Sequence, residues 1–397
     1  MTTTTIMRRM RLLWAVGLVG LVGCSDDAES GGGKQRVRVT ATAYAGQYSP
    51  LDEAGTRASW YDPYTGFVPY EDISTEFENQ KDLTGKSIGA FFTQVDEAPM
   101  AGLLHNENGK WQMTIEAASN EKYYVYGYIP DTGDFTASIA PNGTYADGAV
   151  LTLSGLPTVT ANDYCVTVGV HKGDDENTVS DSRDNNDALA VGKFIYRVEN
   201  TDVGDDKNHM FMLFDHLYAA LKLQFKVDAN YDLLRQIKLK KIEMMAENES
   251  QRRATCVVTL TANNIGTNPI TSVVFTADEG GDPSSEVIYS DANGVSLKSN
   301  EPTNFFGGFL PQFSNGAVIN KFRLITTYDV YDKKKESIVR KGCTAENAIN
   351  LAYVTATSGD FGGFERGKIR TLTLTVNPTY LYVLSEPDLD NPTLKIE

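Results

Sequence analysis

The clearest chemical signal in the chain is the thiol of Cys24, which ends a short N-terminal segment. A mostly apolar run over residues 12–22 leads to it and is preceded by three arginines, Arg8, Arg9 and Arg11. This run is too short for a stable transmembrane helix, and the order basic, apolar, small is typical of a secretion signal. We therefore expect residues 1–23 to be a signal peptide that is removed on export.

The residues around Cys24 resemble a bacterial lipobox, in which small residues precede a cysteine whose thiol is acylated. The acylated cysteine would become the new N-terminus, so that lipid tethers the mature chain to the outer membrane at the cell surface. Residues 24–34 contain three consecutive glycines and predict a flexible tether. The acidic stretch Ser25 to Asp27 resembles a surface-export signal. The alternative is an ordinary signal peptide whose cysteine is incidental.

The other groups with catalytic or metal-binding potential show no recognised spacing. The sequence has no GxSxG elbow, HExxH zinc motif, glycine-rich phosphate loop or GxGxxG fingerprint. None of the histidines pairs with another ligand at helical metal spacing: His105, His171, His209 and His216. We predict no enzyme, no catalytic residue, no metal and no cofactor, and we interpret His216 as a satisfied, partly buried side chain.

Three cysteines remain after Cys24, namely Cys165, Cys256 and Cys343. They are too far apart for a CxxC metal or redox site, and an odd number leaves at least one thiol unpaired within the molecule. One interpretation is three buried, reduced side chains that pack as small hydrophobic groups. The other is a single bridge plus one free thiol.

Two acidic segments could be mistaken for calcium loops. The segment from Gly173 to Asp187 lacks the alternating oxygen ligands, the glycine and the final bidentate acid of such a loop. Asp228, Asn230 and Asp232 have the opening spacing of an EF-hand, but no glycine follows at the sixth position. We predict solvated loops at both places.

Most of the mature chain alternates apolar and polar residues with a period of two, which predicts strands. Clusters of Gly, Asn and Asp separate the alternating runs, as turns require. The pattern predicts an all-β fold of packed antiparallel sheets with few, short helices. Loss of the three signal arginines moves the net charge from −16 to −19, and such a surface repels nucleic acid.

The second half of the chain, from Phe211 to Glu397, resembles the fimbrillin family, lipoprotein subunits of type V pili of Bacteroidota-type bacteria. A looser likeness covers residues 56–90, and no single motif is diagnostic. The order of several segments carries the resemblance: residues 214–223, 234–239, 324–332, 370–381 and 387–392. Members of this family have two β-sandwich domains of transthyretin-like topology. The resemblance therefore implies one domain over residues 35–208 and a second over residues 209–397 with a donor-strand tail.

The resemblance also implies assembly by strand exchange, in which a protease cuts after an arginine and the first strand leaves. Arg57, followed by Ala58, is the processing site that fits this scheme, although Lys34, Arg36 and Arg38 are alternatives. The side chains of the displaced strand that would face the groove are Val37, Val39, Ala41 and Ala43. The side chains expected on the incoming C-terminal donor are Leu372, Leu374, Val376, Leu381 and Val383. Burying about five large apolar side chains gains roughly 7–15 kcal/mol before ordering costs, so a Leu-rich donor can replace a Val- and Ala-rich strand.

The function implied by the resemblance is a structural subunit of a cell-surface fimbrium that supports adhesion. Its partners would be other copies or related pilus subunits, the outer membrane through lipid, and a receptor on a host or bacterial surface. The rival hypothesis is a surface glycan-binding lipoprotein of a polysaccharide-uptake system. The rival would keep its first strand and would use Trp60, Tyr61 and Tyr64 as a platform that stacks on sugars.

Overall fold

Alternating side chains produce strands along almost the whole part of the chain that the structure describes. The computed structural model describes residues 33–50, 67–72, 83–107, 110–118, 121–172, 194–198, 208–262, 268–278, 285–311, 319, 321–350, 364–377 and 393–396. Residues Lys34–Glu397 form one compact unit. Within the described residues there is one α-helix of a single turn, α1 (Ala229–Asp232), and no helix long and apolar enough to cross a membrane.

Twelve strands lie before residue 217. They are β1 (Gln35–Gly46), β2 (Ser49–Pro50), β3 (Phe67–Pro69), β4 (Ser87–Thr93), β5 (Met100–Glu107), β6 (Lys110–Ala117), β7 (Lys122–Asp131), β8 (Thr136–Asn142), β9 (Thr144–Pro157), β10 (Cys165–Lys172), β11 (Ile195–Arg197) and β12 (His209–His216).

Ten strands follow. They are β13 (Tyr218–Val227), β14 (Arg235–Ala246), β15 (Arg253–Thr261), β16 (Ile270–Ala277), β17 (Glu286–Ser296), β18 (Thr303–Pro311), β19 (Lys321–Asp332), β20 (Ser337–Asn350), β21 (Lys368–Asn377) and β22 (Thr393–Ile396).

The first sheet closes on itself. Its strands run in the order β10-β12-β1-β6-β5-β4-β7-β11, and β3 also pairs with β1. A short antiparallel pairing joins β10 to β7, at Cys165 with Ile129 and Val166 with Tyr128, and completes a ring. The enclosed core contains the inner face of β1 together with Phe92, Trp111 and Phe214. Closure leaves β1 as an interior strand, with neighbours on both sides.

Two further sheets form a sandwich after residue 217. One has the order β18-β13-β21-β2, with β22 on β21, and the other has the order β17-β14-β19-β20. Their facing side chains share one large core, to which β13, β14, β19 and β21 all contribute. Leu223, Leu324 and Leu374 are completely buried in it. Along each strand, every second side chain points into this core, as two packed sheets require.

A fourth sheet, in the order β16-β15-β9-β8, joins segments far apart in sequence. β9 pairs with β15 from Gly148 with Thr261 to Pro157 with Arg253, and the inner face of this sheet packs on a third core. β12, which begins at His209, pairs with β1 in the first sheet. In the described residues, four strand pairs thus cross residue 208: β1 with β12, β10 with β12, β9 with β15 and β2 with β21. The division of the chain at that residue stays a prediction.

The prediction of an all-β fold is confirmed. The short helix and the absence of any long helical stripe in the described residues agree with the period-two pattern. Layered, sandwich-type packing is present in the sheets after residue 217, whereas the first sheet reaches the same burial by closing into a ring. The β7–β10 pairing that closes it has no local sequence signal, because it joins residues more than 30 positions apart.

Candidate functional site

The candidate site is the position of β1 in the first sheet, which we call the first-strand site. β1 lies between β6 and β12: Gln35 to Ala41 pair with β6 in antiparallel fashion, and Thr40 to Ala45 pair with β12 in parallel fashion. Tyr44 to Gly46 also pair with β3. Without β1, the facing backbone groups of β6 and β12 would lose their partners, so the ring depends on a strand at this site.

The inner face of β1 is completely enclosed. Val37, Val39 and Ala41 have no exposed surface, and Ala43 has 1%. Ala45, which the sequence interpretation did not include, continues the same row and is equally buried. The predicted alternation is therefore present, and the row is built from two valines and three small alanines.

The outer face of β1 is polar along most of its length. The ring of His209 lies between two β1 hydroxyls, with its Nδ1 2.8 Å from Thr40 Oγ1 and its Nε2 3.0 Å from Thr42 Oγ1. The Arg38 guanidinium donates a hydrogen bond to the Gln112 side chain on β6. Tyr44 departs from the polar pattern because it packs in a small outer cluster with Phe211. The polar contacts fix the register of β1, and Tyr44 adds buried apolar area at the end of this face.

The segment after β1 runs directly to the start of β21. Ser49 and Pro50 form β2, which pairs in parallel with Lys368 and Ile369 at the start of β21. The Ser49 amide donates to the Gly367 carbonyl at 3.3 Å. The end of the first strand and the start of β21 are thus in direct contact within one chain.

β21 carries three of the predicted donor residues, and all three are buried in their own chain. Leu372 and Val376 are 2% and 7% exposed, and Leu374 has no exposed surface. β21 pairs in parallel with β13 from Ile369 to Val376. On its other side β22 pairs with residues 374–377. To act as a donor, β21 would have to give up this burial first.

The same strand relation occurs twice in the chain. β1 pairs in parallel with β12 and antiparallel with β6, while β13 pairs in parallel with β21 and antiparallel with β18. In both cases the first strand, β1 or β13, lies between two neighbours. The parallel neighbour, β12 or β21, comes later in the sequence than the antiparallel neighbour, β6 or β18. An inner row of Leu, Phe and Val fills the β13 position, where β1 has valine and alanine.

Several sequence interpretations fall on residues outside the described part. They are the acylation site Cys24, the processing site Arg57 and Ala58, the donor residues Leu381 and Val383, the aromatic cluster Trp60, Tyr61 and Tyr64, and the acidic segment from Gly173 to Asp187. All of them stay predictions.

The EF-hand-like triplet serves local structure. Asp228 caps α1, because its Oδ1 accepts hydrogen bonds from the amides of Asn230 and Tyr231 at 2.9 and 3.1 Å. Asp232 instead accepts from the Ser299 hydroxyl at 2.8 Å and binds the Lys333 ammonium at 2.5 Å. The oxygens that would bind calcium are thus committed to a helix cap and to contacts with other loops.

The three cysteines in the described residues are all reduced and buried. Cys256 packs in the third core, and burial raises the pKa of its thiol far above the ordinary value. Cys343 lies in the core of the second-half sandwich. The structure thus agrees with the first of the two interpretations, in which cysteine acts as a small apolar side chain.

One cluster of reactive residue types was missed at the sequence level. Asp163, Cys165 and His216 lie together at one end of the ring, with a side-chain atom of each within 4.8 Å of the others. Burial is the largest cause that raises the pKa of the Cys165 thiol, which is the opposite of what an activated nucleophile needs. No sequence signal links residue 216 to residues 163–165, because strand pairing alone brings them together.

Comparisons with known proteins give only distant structural likenesses. No family model and no curated protein matches the chain. A proposed cell adhesion protein from Bacteroides fragilis is 11% identical, with a TM-score of 0.34 and coverage of 90% of this chain and 97% of that one. Proposed polysaccharide binding proteins from Bacteroides thetaiotaomicron are 8% identical, with a TM-score of 0.29 and coverage of 86% and 91%.

A fimbrial anchor protein from Porphyromonas gingivalis is 9% identical, with a TM-score of 0.24 and coverage of 90% of this chain and 95% of that one. At these scores, a function for this chain has to rest on its own geometry.

Proposed function

We propose that the protein is a structural subunit of a cell-surface fimbrium that is exported as a lipoprotein on Cys24 and polymerises by strand exchange. The observation that carries the proposal is the first-strand site. β1 is an interior strand of a closed sheet, but it precedes every other described strand of the chain. One cut after Arg57 would leave β1 attached to the remainder by noncovalent contacts alone.

The composition of β1 supports its replacement. Its inner row of two valines and three alanines contributes about 5–8 kcal/mol of apolar burial. The departing strand would uncover the core beside Trp111 and Phe214 and unpair two strand edges. An open site of this kind binds an extended apolar segment through main-chain pairing and side-chain burial together.

We propose that the donor is the C-terminal segment of a neighbouring copy, and that Leu381 and Val383 are its main apolar side chains. Leu372, Leu374 and Val376 already fill the core of their own sandwich, so their donation would cost about as much as it gained. Donation of the segment after Asn377 does not require β21 to separate from β13. Among the described residues of that segment, the four of β22 would lose their pairing with β21.

The location and partners follow from the same proposal. Lipid on Cys24 would hold the precursor at the outer membrane until the cut after Arg57 releases the remainder of the chain for assembly. The partners are then other copies of this chain or related subunits. We propose no catalytic step and no cofactor for this role.

The test is cleavage of the mature chain with an arginine-specific protease, followed by mass spectrometry of the new N-terminus and light scattering of the product. We expect Ala58 as the new N-terminus, loss of the β1 fragment and ladders that survive mild denaturant. A variant lacking residues 378–397 is expected to be cut equally well but to stay monomeric. Arg57→Gln is the matched control and should remain intact and monomeric. Cleaved full-length chain that keeps β1 and stays monomeric at high concentration would overturn the proposal.

A further inference from the structure

We propose that a buried ion pair between His216 and Asp163 latches the end of β1 and makes release of the first strand dependent on pH. The pair lies at the end of the ring where β1, β12 and β10 finish or begin. His216 is the last residue of β12, Asp163 lies two residues before Cys165, which begins β10, and Gly46 is the last residue of β1. The regulatory part of this inference rests on the proposed strand release.

The contacts of the His216 ring define its protonation state. Its Nε2 lies 2.5 Å from the Gly46 carbonyl oxygen, which can only accept, so Nε2 must carry a proton. Its Nδ1 makes an ion-pair contact of 2.9 Å with Asp163 Oδ2 and lies 3.3 Å from Cys165 Sγ. A neutral ring would turn the Nδ1 lone pair toward a carboxylate, whereas an imidazolium presents a second N–H.

Burial makes the protonation state of His216 energetically important. The side chains of His216 and Asp163 are 1% and 0% exposed, and an uncompensated carboxylate there would cost several kcal/mol. Burial by itself lowers the pKa of His216, but the charge and hydrogen bonding of Asp163 outweigh it, and the pKa is raised above 6.5. Asp215, the other nearby carboxylate, binds the Arg366 guanidinium at 2.5 Å and so has its own counter-charge.

Other titratable and charged groups of the described residues surround the pair. The backbone carbonyl of Asp163 accepts from the Tyr70 hydroxyl at 2.8 Å, and the Cys165 thiol stays protonated because burial raises its pKa. The groups around His216 are Tyr48, Tyr70, Asp163, Cys165, Asp215 and Arg366. Among these, Asp163 is the carboxylate in direct contact with Nδ1.

A proton fits between Nδ1 and Oδ2 better than a metal ion does. Two ligands of a tetrahedral zinc ion, each about 2.0 Å from the metal, lie about 3.3 Å apart. The observed 2.9 Å is shorter and suits a direct ion pair between an imidazolium and a carboxylate. The cluster also supplies three ligand atoms, where a closed structural zinc site takes four.

The end of β1 and the residues just after it, which would leave together, make three contacts with the His216–Asp163 pair. Gly46 accepts from Nε2, the Tyr48 hydroxyl donates to Asp163 Oδ1 at 2.8 Å, and the Tyr48 ring lies on the His216 ring with centroids 3.9 Å apart. A neutral ring keeps the Nε2 proton and its contact with Gly46, so pH acts through Asp163. Without the imidazolium, Asp163 is an unpaired carboxylate for as long as Gly46 and Tyr48 cover it, and departure of these residues returns it to water. Because the pKa of His216 is raised, this cost is absent below about pH 6.5 and appears as pH rises through the folded-state pKa. The end of β1 is therefore held most tightly in mild acid and loosens in alkali.

The first test measures protonation in the uncleaved full chain by nitrogen-15 NMR of labelled histidines, with the His216 signal identified by its loss in His216→Gln. We expect most His216 rings to carry protons on both nitrogens at about pH 6.5, where an ordinary imidazole is half deprotonated. Asp163→Asn should remove the counter-charge and leave a singly protonated ring at the same pH. A singly protonated ring in the wild type, or one equivalent of bound metal by elemental analysis, would overturn the inference.

The second test measures hydrogen exchange of residues 44–50 in the same uncleaved chain, so it does not depend on polymerisation. The protection of residues 44–50 in wild type is divided by that in His216→Gln, because the intrinsic effect of pH on the exchange rate is the same in both chains and cancels. We expect a ratio of about ten- to a hundredfold at about pH 6 that falls as pH rises through the folded-state pKa of His216. The exposed His105, replaced as His105→Gln, is the matched control and should give a ratio near one throughout. A protection ratio for His216→Gln that does not change with pH would refute the role of the His216–Asp163 pair. A ratio that falls with pH as expected, in a chain that nevertheless fails to polymerise after cleavage, would refute strand exchange alone.

Discussion

Val39→Ala tests whether burial of its inner row holds β1 in place. Val39 has no exposed surface and lies in the middle of that row, opposite Met113 on β6. The substitution removes two methyl groups, which are worth about 1.6 kcal/mol in transfer from water. The cavity left beside a packed core adds to this cost, so we expect a total of about 2–3 kcal/mol.

The assay follows β1 after the chain has been cut at one place. A recognition site for a specific endoprotease inserted after Arg57 leaves β1 as a separate fragment, and size-exclusion chromatography measures how fast it dissociates. A loss of 2–3 kcal/mol corresponds to dissociation that is about 30- to 150-fold faster or binding that is weaker by that factor. Gln35→Ala changes an exposed side chain on the same strand and should leave the rate unchanged. Equal rates for the two variants would mean that the inner row does not retain the strand.

Three further outcomes follow from the described residues. Leu374→Ala should lower the free energy of unfolding by about 2–5 kcal/mol in urea titrations, whereas the exposed Thr371→Ala should change it little. Burial opposes ionisation of Asp329, but the Gly342 amide and Lys240 outweigh it and hold the pKa below 3.8, so Asp329→Asn should cost about 1.5–3 kcal/mol near pH 7. That cost should vanish in acid, as pH falls through the folded-state pKa, and equal costs at both pH values would contradict the assignment. The three buried thiols should resist a thiol reagent in the native chain and all react after denaturation, and prompt labelling of a native thiol would show that its burial is wrong.

The period-two pattern predicted the all-β class of the fold and which side chains of β1 share a face. Val37, Val39, Ala41 and Ala43 lie on one face because strand side chains alternate, and the structure buries that face. Tyr44, on the other face, is buried too, since an outer cluster around Phe211 covers it. The alternation thus predicted which residues point inward, but not what covers the other face.

Long-range pairing lay beyond the reach of the sequence. Nothing local indicates that β12 pairs with β1, that β9 pairs with β15, or that β10 closes the ring on β7. The latch was missed for the same reason, because His216 and Asp163 meet only after β10 and β12 have paired. The apolar row of β21, to which the resemblance assigns a donor role, is evident in the sequence, whereas the pairing with β13 that buries it is not.

The central claim is that a neighbouring copy fills the first-strand site. Its most direct test is cross-linking mass spectrometry on an equal mixture of nitrogen-14 and nitrogen-15 copies after cleavage at Arg57. Mixed-isotope links should join residues 378–397 of one copy to β6 or β12 of another, and peptides of β1 should be absent from the polymer. Links confined to single copies, with β1 peptides retained in the assembled material, would contradict strand exchange.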